Sequence, residues 1–190
     1  PPINNGTERE LSTMTATTST AQQYAEEATA APAARLVPTI IPIETPTLGD
    51  RSYLVHDGEV ALVIDPQRDI DRVLDLAARE AVTITHVFET HIHNDYITGG
   101  LALAQQTGAG YLVNGADQVS YARTPISDGD EITIGTAMRI RAVATPGHTF
   151  THLSYMLTAD GVPVAVFTGG SLLYGATGRP DLLGQEHTHD

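Results

Sequence analysis

The sequence predicts a mixed α/β sandwich, with strand layers facing each other and helices packed against them. Three observations carry this. Apolar, β-branched runs come in pairs joined by short turns at Asp-Gly or Gly. Two stretches between the pairs repeat their apolar residues at helical spacing. Both histidine-rich stretches fall just after a predicted strand, where loops on a rigid scaffold carry function.

Taken in order, residues 1–35 stand apart: they are rich in Ser, Thr, Ala and Glu, bury little, and are expected to form a disordered or weakly helical leader. Met14 is expected to be the native start, and residues 36–190 the folded domain. The pattern becomes dense after TIIPIETPTLGD. SYLVHDG and EVALVIDP read as two strands joined at Asp57-Gly58. Residues 69–80 place Ile70, Val73, Leu74 and Ala77 at helical spacing, with Asp69 as N-cap. VTITHVFE reads as a β-branched strand ending at the first histidine cluster. Residues 97–107 predict a helix beginning near two glycines, and YLVN a short strand. Residues 131–144 predict two strands turning at Gly135, and LSYML with VPVAVFTG a hairpin across Asp160-Gly161. No internal repeat is present.

Composition narrows the function classes. At 190 residues and 41% hydrophobic, the chain suffices for one ordinary domain with a real core. Its net charge is −13, from 23 acidic residues against 10 basic ones, all arginine, so it repels phosphate backbones and anionic lipid. Neither nucleic acid nor a membrane surface is an expected partner. No apolar run approaches the roughly 20 residues of a spanning helix. The absence of cysteine excludes disulfides, thiolate zinc sites and cysteine nucleophiles. Any metal must therefore be held by nitrogen and oxygen ligands. The N-terminus shows no basic-then-apolar signal pattern, and a cytoplasmic location is expected.

The chemistry concentrates in ETHIHNDYITGG, residues 89–100. Two histidines at i and i+2 in a tight turn, His91 and His93, can face one metal ion. Asp95, two residues on, can approach a second ion or hydrogen-bond a bound water. Its alternative role is that of a turn former or helix cap. A third imidazole comes from TPGHT, where Pro146 and Gly147 shape a turn that projects His148. Three neutral imidazoles leave an open coordination position for water or substrate. His91, His93 and His148 are thus the candidate metal ligands, and Asp95 and Tyr96 the candidate catalytic residues. His152 opens a predicted strand and reads as a supporting or structural group. His56 and His86 read as structural, and His187 and His189 as a solvated tail. GGSLLYG lacks the Gly-x-Ser-x-Gly spacing of a nucleophile elbow, which argues against serine hydrolase chemistry.

THIHND, TPGHT and FTGG, in this order and spacing, resemble the metallo-β-lactamase fold superfamily. VFETHIHNDYITGGLALA and FTGGSLLYGATGRPDLLG resemble its persulfide dioxygenase and glyoxalase II-like branch, especially members that carry rhodanese domains further along the chain. The resemblance runs from about residue 38 to 186. It implies an αββα sandwich with a metal site at one edge of two facing sheets. The family's first and second motif histidines match His91 and His93, and its PGH histidine matches His148. Persulfide dioxygenases bind a single iron through the first and third of these and the aspartate of FTGD; here that aspartate is replaced by Gly170. Dinuclear relatives bind a second metal through the motif aspartate, the residue after it, the FTGD aspartate and a late histidine. This chain keeps Asp95 but has Tyr96 and Gly170 at the next two positions, so a dinuclear site is not expected. Tyr96, neutral near pH 7, is expected to hydrogen-bond a substrate or a metal-bound water.

The resemblance implies one divalent metal, Fe(II) before Zn(II), and oxidation of a low-molecular-weight thiol persulfide to sulfite. Two alternatives stand beside it: metal-dependent thioester hydrolysis of the glyoxalase II kind, and a degenerate domain that binds a thiol or a partner protein without turnover. GRPDLLG follows the family pattern to near Asp190. A fragment with an incomplete C-terminal part of the sandwich is therefore expected, with a rhodanese domain beyond it in the full-length protein. A homo-oligomer is compatible with this reading.

Overall fold

Two sheets form the frame, each built from the hairpins that the turn residues specify. The computed structural model describes residues 35–47, 49–173 and 175–178. The expected leader, apart from Arg35, and the tail histidines His187 and His189 lie outside these residues. The first sheet has six strands in sequence order: β1 (Thr39–Thr45), β2 (Asp50–His56), β3 (Val60–Ile64), β4 (Thr83–Phe88), β5 (Gly110–Asn114) and β6 (Thr124–Ile126). β1–β2 and β2–β3 are antiparallel; β3–β4, β4–β5 and β5–β6 are parallel. Helices α1 (Asp71–Glu80) and α2 (Gly100–Thr107) make the first two parallel crossovers. The second sheet is antiparallel in the order β10-β9-β8-β7, from β7 (Glu131–Ile134), β8 (Met138–Ala144), β9 (Leu153–Ala159) and β10 (Val162–Phe167). A small hairpin follows, β11 (Leu172–Leu173) and β12 (Ala176–Thr177).

Alternation along the strands sorts side chains into two cores. Between the sheets lie Val55, Leu62, Ile64, Phe88 and Leu112 of the first, against Ile134, Met138, Ile140, Leu153, Tyr155 and Leu157 of the second. On the other face of the first sheet, Leu54, Ala61, Val63, Ile84, Val87 and Val113 meet Val73 and Ala77 of α1 and Leu103 and Ala104 of α2. The central parallel strands are therefore apolar on both faces and read as unbroken runs such as VALVI. In the second sheet β8 alternates instead, burying Met138, Ile140 and Ala142 while exposing Arg139 and Arg141. The described residues thus build three layers, helix on sheet on sheet, of the αββα sandwich. No helix among them is long and apolar enough to cross a membrane.

Three departures from the sequence reading have simple causes. Asp69 does not cap α1: the N-cap is Ile70, with no side-chain cap, and the Asp69 carboxylate accepts from Arg72 Nη1 at 3.0 Å instead. The strands β1 and β6 were not expected, because Pro42 and Pro125 interrupt them. Both lie at sheet edges, where a missing N–H leaves no ladder bond unmade. Pro163 follows the same rule on the edge strand β10, beside an irregularity in its register. Finally, α2 starts at Gly100 rather than at residue 97, since Thr98 is held in an isolated bridge with Gln67.

Candidate metal centre

Parallel pairing of β3, β4 and β5 brings their C-terminal ends to one edge, the place where open sheets of this kind hold ligands. Asp65 directly follows β3, and Glu89 to His93 directly follow β4. The Asp65 N–H donates to Phe88 O at 2.9 Å. Its φ of 49° lies in the left-handed region that aspartate tolerates better than most side chains. The carboxylate so placed accepts from Thr90 N and from Thr90 Oγ1, both at 2.7 Å. With its proton committed to Asp65, the Thr90 hydroxyl is left to accept from His91 Nδ1 at 2.9 Å. That fixes the His91 tautomer and leaves the Nε2 lone pair free.

His148 meets that lone pair from the second sheet. The β8–β9 loop is stitched to the first sheet by Leu153 N donating to Thr90 O at 2.8 Å. His148 Nε2 then lies 3.2 Å from His91 Nε2, with ring centroids 4.7 Å apart and edge to face. Burial, followed by the charge on His93, depresses His91 to a pKa of about 3, so its imidazole is neutral.

His93 faces the other way. Its Nε2 is 3.0 Å from Tyr96 Oη, 3.3 Å from Asp65 Oδ1 and 3.4 Å from Glu89 Oε2. Burial alone would lower its pKa, but the two carboxylates outweigh burial and raise it to about 10, so an imidazolium sits among acids. Asp65 shows the counterpart: burial raises it, and the His93 and Thr90 donors hold it below the usual range. Glu89 is pushed up by burial and its Oε1 accepts from Thr98 and Tyr111 hydroxyls. A side chain at Gly100 would collide with Tyr111, 2.5 Å from its Cε2, so glycine lets α2 close over this acid. Among the described residues, Asp65, Glu89 and His93 are the one group of three ligating side chains whose atoms all lie within 4.8 Å of one another.

The structure therefore joins His91 to His148 and directs His93 toward Asp65 and Glu89, although the His91 and His93 ring centroids lie only 4.1 Å apart, with their planes tilted by 51°. Tyr96 packs on His93, and its hydroxyl donates to Asp65 O at 3.4 Å. Burial pushes this phenol up, so it stays neutral. Asp95 is exposed and forms no hydrogen bond or ion pair with any described residue; with burial, its charge raises Asp50. Asp65, Glu89 and Thr90 were not among the residues singled out from the sequence. The signal available was their position at strand ends beside the histidine motif. Beside Tyr96 opens a groove of about 460 Å³ lined by Gln67, Arg68, Asp69 and Ile97.

Whether a metal fits is decided by the donors. Two imidazole nitrogens converge from opposite sheets, one of them locked in the ligating tautomer, and His152 Nε2 is buried nearby with no hydrogen-bond partner among the described residues. Such a nitrogen set suits a borderline divalent ion such as Fe(II) or Zn(II). Gly170 adds nothing. A Cβ there would stand 2.8 Å from His148 Cγ and nearer still to other ring atoms, so the imidazole already fills the space where a side chain would begin.

Fold and site together define a two-sheet sandwich with a histidine-lined edge suited to a divalent metal. The profile of the Metallo-beta-lactamase superfamily matches residues 47–190, and the chain belongs to that superfamily. Its members are mostly metal-dependent hydrolases or oxidoreductases. A metallo-beta-lactamase from Staphylococcus aureus superposes with a TM-score of 0.72 at 33% identity, over 77% of this chain and 47% of that one. ETHE1 from Myxococcus xanthus superposes with a TM-score of 0.66 at 34% identity, over 74% of this chain and 61% of that one. The cytoplasmic hydroxyacylglutathione hydrolase of Arabidopsis thaliana is 33% identical over 139 residues, 70% of this chain and 54% of that protein. A human hydroxyacylglutathione hydrolase-like protein is 38% identical over 104 residues, 53% of this chain and 35% of that protein. The chain thus spans between 35% and 54% of the length of these two curated relatives.

Proposed function

We propose that the site holds one divalent metal, Fe(II) in preference to Zn(II), and oxidises a low-molecular-weight thiol persulfide to sulfite. The observation that carries this is the His91–His148 pair, 3.2 Å between Nε2 atoms, with His91 oriented through Thr90 and Asp65. His91 and His148 hold the metal. His93, presented by the same turn, is either a further ligand or, as an imidazolium between Asp65 and Glu89, a charge that orients the polar edge. When bound, the metal supplies activation of O₂ and of the sulfur group. The chain's own residues bind and orient: Tyr96 offers a neutral hydroxyl at the groove, and Arg68 offers an exposed guanidinium on a chain of net charge −13. A thiol carrying a carboxylate is the ligand chemistry this favours. The similarity to ETHE1 supports the same reading.

Thioester hydrolysis is the second reading, favoured by the names of the curated relatives. The test is metal content after anaerobic purification, followed by both assays on the loaded chain. Stoichiometric iron with sulfite release, both lost in His91→Ala and His148→Ala, is the expected result. Zinc with thioester cleavage would replace the first reading by the second. Absence of bound metal after loading would leave a binding domain without turnover.

A further inference from the structure

We propose that His152 is a metal ligand, completing with His91 and His148 a three-imidazole site that takes the place of the missing aspartate. The inference rests on the metal-binding reading above and adds a residue that the motif pattern does not supply. Four observations support it. His152 is 1% exposed, and its Nε2 is a buried nitrogen with no partner among the described residues. A buried polar atom left in that state calls for a water, an ion or a ligand. Its Nδ1 lies 2.9 Å from Thr145 Oγ1, and that hydroxyl lies 2.8 Å from Ser154 Oγ. This is the arrangement that Thr90 gives His91: a threonine hydroxyl on Nδ1 and the opposite nitrogen turned inward.

The third observation is position. The His152 ring stacks on His91 at 5.1 Å and stands 6.1 Å from the His148 ring, so three imidazoles enclose one small volume. Their nitrogens do not all lie within 4.8 Å of one another, so closing the set requires one ring to turn. The fourth is the FTGG loop itself. A Cβ at Gly169 would stand 2.9 Å from His152 Nε2, and one at Gly170 would run into the His148 ring. The two glycines thus give their space to two histidines. The loop that offers an aspartate in relatives here admits imidazole nitrogens instead.

The test exploits the absence of cysteine from this chain. His152→Cys introduces a single thiol, so a thiolate-to-cobalt charge-transfer band in the cobalt-loaded variant can come only from position 152. The expected result is that band, together with at least a tenfold loss of cobalt affinity in His152→Ala. A variant that retains cobalt without the band overturns the inference and leaves the metal site intact. Parent protein that binds no cobalt overturns both this inference and the metal reading. Should the variants fail to fold, the parent decides: with spin-active cadmium and isotopically labelled histidine, scalar splitting of the His152 Nε2 resonance supports direct ligation. Splitting at His91 and His148 alone refutes it.

Discussion

Thr90→Val is the most informative single change in this site. The side chains are nearly isosteric, but the hydroxyl is lost, and with it both hydrogen bonds that the Thr90 oxygen makes. Asp65 Oδ2 loses a donor at 2.7 Å, and the His91 Nδ1–H loses its acceptor at 2.9 Å, both in a buried setting. A hydrogen bond to a charged group contributes about 1.5–3 kcal/mol, and leaving a buried donor unsatisfied costs about 1–3 kcal/mol. The added methyl returns about 0.8 kcal/mol. The net expectation is a loss of about 2–5 kcal/mol. At about 2–4 °C per kcal/mol for a chain of this size, Tm should fall by ~4–20 °C. Because the same hydroxyl sets the His91 tautomer, metal affinity should fall about 10–100-fold as well. Urea denaturation of the metal-free chain and a cobalt titration measure the two effects. Thr90→Ser keeps the hydroxyl and should lie close to the parent in affinity. Were the valine and serine variants indistinguishable, the relay from Asp65 to His91 would have no energetic content and the argument would be refuted.

Three further outcomes are expected. Gly170→Asp should lower Tm and gain no metal, because its Cβ displaces the His148 ring from His91; higher iron retention at unchanged Tm would show that the ring yields freely. The metal-free chain should be most stable near pH ~6.5, the ordinary histidine value. His93, raised to about 10, contributes fully below 6.5 and loses its contribution as pH rises through about 10. His91 and His152, held at about 3 and about 4, are neutral when folded, so the unfolded chain takes up the extra protons below 6.5 and stability falls with pH there. Thermal unfolding across pH checks this, and a flat profile between pH ~4 and ~9 contradicts it. Tyr155→Phe should cost about 1–3 kcal/mol, since its hydroxyl donates to Glu89 O at 2.7 Å in a fully buried position; a loss below about 0.5 kcal/mol in urea would contradict it.

The hairpins and helices were legible in the sequence because their causes are local. Asp57-Gly58 and Asp160-Gly161 turn the chain whatever lies beyond, and the spacing of Val73 and Ala77 fixes which face of α1 is apolar. The edge strands β1 and β6 were not legible, because proline argues against a strand until its place at a sheet edge is known. Asp69 likewise had two partners within reach, and only the folded neighbourhood of Arg72 decided between them.

The sequence by itself determined the kinds of donor available: imidazoles and carboxylates, no thiolate, and a glycine at position 170 that offers no side chain. Tertiary structure alone decided which of them meet. Strand order carries Asp65, 25 positions before Thr90, to within hydrogen-bond distance of it, and the facing sheet delivers His148 across 57 positions to His91. Side-chain type is written residue by residue. Distances between such separated atoms are set by the order and register of whole strands, and these depend on how the two cores pack together.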